Sequence, residues 1–168
     1  MHVSAEDDLR ERLDRLEQRE LIRDLKHRYL RACDAKDVAA MRACFVDGPA
    51  DLDYGPLGHF DRADELVAVF ERIALERGAD GYRVLDMHHA VHDHIDLDGD
   101  GRARGLWTLR FRQLDRQQRT ETLAAIEYED RYVRVDGDWR VAACRARLLW
   151  SLIRPLPEDA LVIDAIDG

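Results

Sequence analysis

Lysine is almost absent from this chain: of its 26 basic residues, all but Lys26 and Lys36 are arginines. They are outnumbered by 35 acidic residues, for a formal net charge of −9. The arginines are scattered, whereas binding to a phosphate backbone needs a clustered basic face, so nucleic acid is excluded as a partner. Cysteine is also scarce. Cys33, Cys44 and Cys144 are an odd number without zinc spacing, and they read as small buried hydrophobes in a reducing compartment. No apolar run approaches the length of a membrane span, and the charged N-terminal segment lacks a signal-peptide core. The expected location is the cytoplasm, with no membrane association. What remains is 168 residues, 46% hydrophobic and 36% charged, a composition suited to one soluble domain large enough to enclose a pocket.

The pattern along the chain changes once. Over residues 6–33, Leu9, Leu13, Leu16, Ile22, Leu25 and Tyr29 recur mostly at three- and four-residue spacing, which predicts a long helix with one buried stripe. The heptad start at Leu9, Leu13 and Leu16 is too short for a coiled coil. Asp34-Ala35-Lys36-Asp37 breaks the helix, and Asp37 is placed to cap a short one over 38–45. A short strand follows over 50–54, closed by Gly55-Pro56, and then a third helix over 62–76 with Asp61 as its cap. From residue 84 onward the chain alternates in polarity. Strands are predicted over 84–97, 102–114, 120–135 and 139–149, with hairpin signals at Asp98-Gly99 and Asp136-Gly137. Helices followed by a meander imply an α+β fold: a cone-shaped α+β barrel of three N-terminal helices packed on a curved antiparallel sheet. Residues 1–154 form the single domain, and 155–168 form a tail that packs on a neighbouring subunit or is loose.

Three separated residues carry chemistry. Tyr29 and Asp34 fall at the end of the first helix and His89 falls within a strand. Together a tyrosine, a carboxylate and an imidazole can remove a proton, hold the imidazolium and steady an oxyanion. Strand parity groups Met87, His89, Val91, Ile95 and Leu97 on one largely apolar row, with His88, Ala90, His92, His94 and Asp96 on the opposite, polar row. On that parity His89 faces a pocket and His88 faces away. A five-residue step turns a helix by about 140°, so Tyr29 and Asp34 converge only where the helix ends. Tyr54, in a Tyr-Gly-Pro turn, and Tyr128 are oxyanion donors or lining. Asp130 shares the face of Tyr128. Arg145 alternates with Trp139, Val141 and Ala143, which allows it to face inward. Phe45, Leu52, Phe60, Phe70, Met87, Trp107 and Phe111 are apolar residues suited to lining such a pocket. The Asp96-x-Asp98-x-Asp100-Gly101 run starts like a calcium loop, but Trp107 occupies the position that needs a glutamate. His88, His89, His92 and His94 look like a metal cluster but are split by parity. No metal and no cofactor are expected.

Leu21-Ile22 through Tyr29-Leu30-Arg31-Ala32-Cys33-Asp34 with Asp37, then Asp53-Tyr54-Gly55, Met87-His88-His89-Ala90-Val91, Tyr128-Glu129-Asp130-Arg131-Tyr132 and Asp136-Gly137-Asp138-Trp139-Arg140-Val141 resemble the nuclear transport factor 2-like superfamily. The closer likeness is to its SnoaL-like branch, over residues 21–147. The Tyr-x4-Asp plus strand-histidine pattern looks like that of bile acid 7α-dehydratase and, more loosely, scytalone dehydratase and hexachlorocyclohexane dehydrochlorinase. The resemblance implies a conical cavity with His89 as base, Asp34 as its partner, and Tyr29 and Tyr54 as donors to a carbonyl oxygen. It implies a cofactor-independent lyase of the dehydratase type, or an isomerase. The substrate would be an apolar, ring-containing small molecule: aromatic, steroid-like or polyketide-like. It also implies a homo-oligomer, as a trimer rather than a dimer. The superfamily includes non-catalytic members such as the small subunits of ring-hydroxylating dioxygenases, and also polyketide cyclases. An epoxide hydrolase would want an Asp-Arg-Asp set, to which Asp130 and Arg145 are the nearest approach.

Overall fold

The computed structural model describes residues 4–166. Helix α1 (Ala5–Asp34) is capped by Ser4, whose hydroxyl accepts the Asp7 amide at 3.1 Å. Glu6, Asp7 and Asp8 in its first turn complement the helix dipole. Its apolar stripe is buried only from its middle onward. Ile22, Leu25 and Tyr29 enter the core, whereas Leu9, Leu13 and Leu16 are each about 60% exposed, so the expectation of one continuous buried stripe fails over the first turns. The indole N–H of Trp139 donates to Gln18 Oε1 at 2.9 Å and marks where the helix first meets the sheet.

Helix α2 (Val38–Arg42) follows, capped by Asp37 Oδ1 on the Ala40 amide at 2.9 Å. Then come β1 (Asp51–Asp53), a 3-10 turn (Gly55–Leu57), β2 (His59–Phe60) and α3 (Ala63–Ala74). Asp61 does not cap α3. Its side chain makes no capping bond, and its amide instead donates to Glu65 Oε2 at 3.1 Å. A small hairpin, β3 (Arg77–Gly78) and β4 (Gly81–Tyr82), leads to four long strands. These are β5 (Val84–Gly99), β6 (Arg102–Asp115), β7 (Thr120–Val135) and β8 (Asp138–Pro155).

The main sheet has the order β2-β1-β8-β7-β6-β5. It is antiparallel except where β1 runs parallel to β8, with Leu52 opposite Cys144. The curved antiparallel sheet expected from the meander is thus present, with one parallel pair added at its far edge. The parallel pair arises because α2 and its loop return the chain to the far edge of the meander, where a hairpin cannot dictate direction. The three helices pack on the inner face of this curved sheet as an α+β cone. The core between them includes Ile22, Leu25, Phe45, Leu52, Trp107, Leu109, Tyr132 and Val141.

Among the described residues the sheet has four register shifts, and two of them set the side-chain phase around the cavity. On β5, Val91 pairs with Thr108 but His94 pairs with Leu106, so one residue is extra, and His92 lies in the left-handed region at φ 53°. On β8, Val141 pairs with Tyr132 and Ala143 with Arg131, leaving Ala142 extra. Each bulge bends its strand and reverses which residues face inward beyond it. After β8 the chain folds back on itself. Arg119 donates to the Pro157 carbonyl at 2.8 Å, and Asp164 Oδ2 accepts the Tyr82 amide at 2.7 Å. The C-terminal segment thus packs on its own β3–β4 hairpin. Among the described residues, no helix is long and apolar enough to cross a membrane.

Candidate functional site

Between α1, α3 and the inner face of β5, β6 and β7 lies a cavity of ≈ 620 Å³. Leu66, Val69, Phe70 and Ile73 of α3 give it an apolar wall. Tyr29, Cys33, Tyr54, Asp86, His88, Gln113 and Tyr128 supply polar groups on the other sides. Arg72, Glu76, Arg83 and Asp115 also contribute to its lining; Arg83 pairs with Glu76 at 2.8 Å and with Asp115 at 3.0 Å.

The histidine in this wall is His88. Its Nδ1 lies 2.5 Å from Asp34 Oδ1, and its backbone N–H donates to Asp34 Oδ2 at 3.1 Å. β5 is the edge strand of the sheet, so its outward amides lack a strand partner, and the last residue of α1 satisfies one of them. That bidentate grip orients the imidazole. With Nδ1 held by a carboxylate, the ring donates there and keeps Nε2 as its free nitrogen. Phe111 stands opposite His88 across the sheet, its ring centroid 4.9 Å from the imidazole.

His89 is therefore corrected. It is exposed on the outer face with Met87 and Val91, while Val84, Asp86, His88 and Ala90 turn inward. Ile95 and Leu97 do face the core, as their apolarity suggests. The bulge at His92 lies between the two runs, and parity counted backward through it assigns the wrong histidine. The same error misplaced Arg145. Trp139 and Val141 face inward, but past the extra Ala142 the inward residues are Cys144 and Ala146. The Arg145 side chain is 66% exposed and lies 3.9 Å from Asp53. Met87 likewise leaves the pocket list.

The tyrosines meet. Tyr29 and Tyr54 share a hydrogen bond of 3.0 Å between their hydroxyls, and the Tyr54 ring packs edge-on to Tyr128. Tyr54 is delivered by the turn after β1, where Asp53 Oδ1 accepts the Gly55 amide at 3.0 Å and Gly55 takes φ 56°, a conformation glycine adopts without strain. Burial pushes the phenols of Tyr29, Tyr54 and Tyr128 well above the usual tyrosine range. They stay neutral donors. Burial also pushes the Cys33 thiol up to about 12, which leaves it an unreactive thiol in the cavity wall.

Asp130 shares the inward row of β7 with Tyr128 and Tyr132, but it is not a pocket group. Its Oδ2 binds Lys26 Nζ at 2.7 Å and accepts the Tyr132 hydroxyl at 2.7 Å. Lys26 Nζ lies over the face of Tyr128, 3.9 Å from the ring centroid. Asp130 and Arg145 are thus separated, and the hydrolase arrangement they hinted at is not assembled. Among the apolar candidates, Phe70 and Phe111 line the cavity. Phe45, Phe60 and Trp107 are core residues, with Phe45 packed edge-on behind Tyr29 and the Trp107 indole donating to Tyr132 at 2.9 Å. Composition alone cannot distinguish a cavity wall from the core behind it.

Sequence reasoning missed a second polar cluster beside His88. Asp86 pairs with Lys36 and accepts Gln113 Nε2 at 2.8 Å. The signal was there: one of only two lysines sits in the helix-breaking tetrapeptide, where φ of 59° continues the turn past Asp34 and the side chain is fully buried.

No curated protein matches the chain in sequence. Its fold is shared by several solved structures. A type 2 hexachlorocyclohexane dehydrochlorinase (LinA) superposes with a TM-score of 0.73 at 16% identity, covering 89% of this chain and 96% of the other. A scytalone dehydratase-like protein of Novosphingobium aromaticivorans gives 0.70 at 17% identity, covering 88% and 97%. ActVI-ORFA of Streptomyces coelicolor gives 0.65 at 15% identity, covering 79% and 98%. At these identities the likeness is one of fold. The SnoaL-like domain model matches residues 14–145, most of the chain, and the protein is a member of that SnoaL-like family within the nuclear transport factor 2-like superfamily.

Proposed function

We propose that the protein is a cofactor-independent lyase of the elimination type, or an isomerase, acting on an apolar ring-containing small molecule. The observation that carries the reading is the Asp34–His88 pair in the wall of an apolar cavity. His88 Nε2 takes a proton from a carbon activated by a neighbouring carbonyl. Asp34 holds the imidazolium and its tautomer, the division of labour general to carboxylate–imidazole pairs. The electron pair moves onto the carbonyl oxygen, which the Tyr29–Tyr54 pair meets with one free O–H. One phenol donates to the other and leaves its partner's proton for the substrate. In an elimination the enolate then re-forms its carbonyl as the β-substituent leaves, and the imidazolium proton accompanies a departing hydroxide as water. In an isomerisation the same proton returns at a different carbon.

A dehydrochlorinase and a dehydratase-like protein among the fold's neighbours support this chemistry by analogy only. Release of water or halide from cyclic β-hydroxy and β-halo ketones, with solvent deuterium entering the carbon acid, tests the reading. His88→Gln should abolish both signals. Equal release by the variant overturns the mechanism, and no release by the wild type leaves a non-catalytic pocket.

The assembly is proposed as a homo-oligomer, a trimer rather than a dimer. Met87, Val91, Leu106, Trp150, Leu152 and Ile153 leave large apolar side chains on the sheet exposed in one chain.

A further inference from the structure

We propose that Asp86 and Gln113 form a substrate-selecting subsite that accepts a neutral hydroxyl, or an equivalent O–H or N–H donor, on the molecule whose proton His88 removes. The inference rests on reading the cavity as a substrate site and adds the chemistry its occupant must carry. Asp86 and His88 are two residues apart on the inner face of β5, and Gln113 and Phe111 are their cross-strand partners on β6. The wall is therefore a square of four side chains, imidazole and phenyl on one rung, carboxylate and amide on the next. All four line the cavity.

Hydrogen-bond capacity decides what this second rung offers. Asp86 Oδ1 accepts the Gln113 amide N–H at 2.8 Å, and Oδ2 accepts Lys36. A carboxylate has about four acceptor sites, so about two remain. Because Gln113 spends an N–H on Asp86, its amide orientation is settled and Oε1 is its acceptor. No described residue donates to that oxygen. The rung therefore presents one neutral donor, the second amide N–H of Gln113, beside several acceptors, the complement of a hydroxyl. An occupant without a donor leaves the acceptors dry and unpaired, a cost that rejects analogues lacking the group more strongly than shape alone does.

Charge narrows the class. Lys36 is fully buried against Asp86, so the cluster as a whole is neutral and offers no net attraction to a cation. An anion meets acceptor lone pairs. A neutral hydroxyl fits. Along a strand two residues span about 6.6 Å, so the donor sits roughly one ring away from the carbon that faces His88.

The test compares 2-naphthol with 2-methoxynaphthalene, which keeps the ring and oxygen but lacks the donor, by titration calorimetry on the full chain. The wild-type protein should bind the naphthol at least tenfold more tightly. Gln113→Leu should shrink that ratio several-fold. Lys36→Met with Asp86→Leu, which removes the carboxylate acceptors without leaving an unpaired buried charge, should shrink it further, and adding Gln113→Leu to that pair should bring it to within twofold of unity. Equal binding of the two probes by the wild type overturns the subsite. So does a ratio unchanged in these variants, which would assign the hydroxyl to the tyrosines. His88→Gln should retain the preference. Binding thus separates this subsite from the elimination chemistry, which is read by product release.

Discussion

Three side-chain pairs tie α1 to the sheet through a carboxylate, and two of them, eight residues apart on the helix, live in different media. Lys26–Asp130 is sealed, its side chains 2% and 1% exposed. Asp34–His88 sits at a cavity wall with 30% and 15% exposure. The Lys26–Asp130 pair is enclosed by Tyr128, Tyr132 and Trp107, and Asp130 Oδ2 takes both Lys26 and the Tyr132 hydroxyl. The second keeps an imidazole nitrogen free. A buried ion pair mainly constrains the fold, because either partner alone would be a stranded charge. An accessible pair can change protonation state during a reaction. Position along one helix, sealed or open, separates the structural pair from the one proposed to do chemistry.

The comparison breaks most visibly if the roles are exchanged. His88→Gln should cost about 10²–10⁴-fold in turnover while leaving the thermal midpoint nearly unchanged, and Asp34→Asn should fall in the same range. Scans that show unfolding instead of inactivity would make this pair structural too. Lys26→Met should do the reverse and lower the unfolding free energy by about 3–5 kcal/mol in urea titrations. Lys26→Met with Asp130→Leu should recover most of that loss, since no charge is then left unpaired.

Tyr29→Phe removes one of two phenols and should lower turnover by less than about 10², with binding of an inert ring compound retained. The buried tyrosines add a pH test. Their folded pKa values lie above the unfolded value of about 10, so their stabilisation is complete below that pH and is lost as pH rises further. Burial also raises the thiols of Cys33, Cys44 and Cys144, so denaturant midpoints should begin to fall near pH 9 and fall more steeply above about 10, and Tyr54→Phe should flatten the steeper part. His89→Ala should be the smallest effect, within about 0.5 kcal/mol in stability and unchanged in turnover.

Much of this architecture was legible. The four long strands, the break at Asp34 and the hairpins follow from periodicity and turn residues, which act locally. Tyr29, Tyr54 and Asp34 do gather at one cavity, because the helix ends where its pattern ends. What failed was phase. A bulge adds one residue without a strong compositional mark, and here the extra residues are His92 and Ala142, neither a glycine. Parity counted across them assigned His89 and Arg145 inward. On β7, which carries no extra residue at either site, Tyr128, Asp130 and Tyr132 share the inner face as alternation implies. The Lys36–Asp86 pairing was missed for another reason: the rare lysine marks one partner, but the two are 50 residues apart and no local pattern links them.

The extra residue at His92 makes one part of the wall robust and another fragile. Adjacent histidines occupy positions 88 and 89, so a one-residue slip of β5 would replace one imidazole with the other and leave a proton acceptor in place. The same slip would exchange Asp86 for Met87, substituting an apolar side chain for the acceptor. The base proposed at this wall thus survives a slip in that direction, while the proposed substrate choice does not. A change of length near His92 is a short mutational route from one substrate to another within an unchanged reaction.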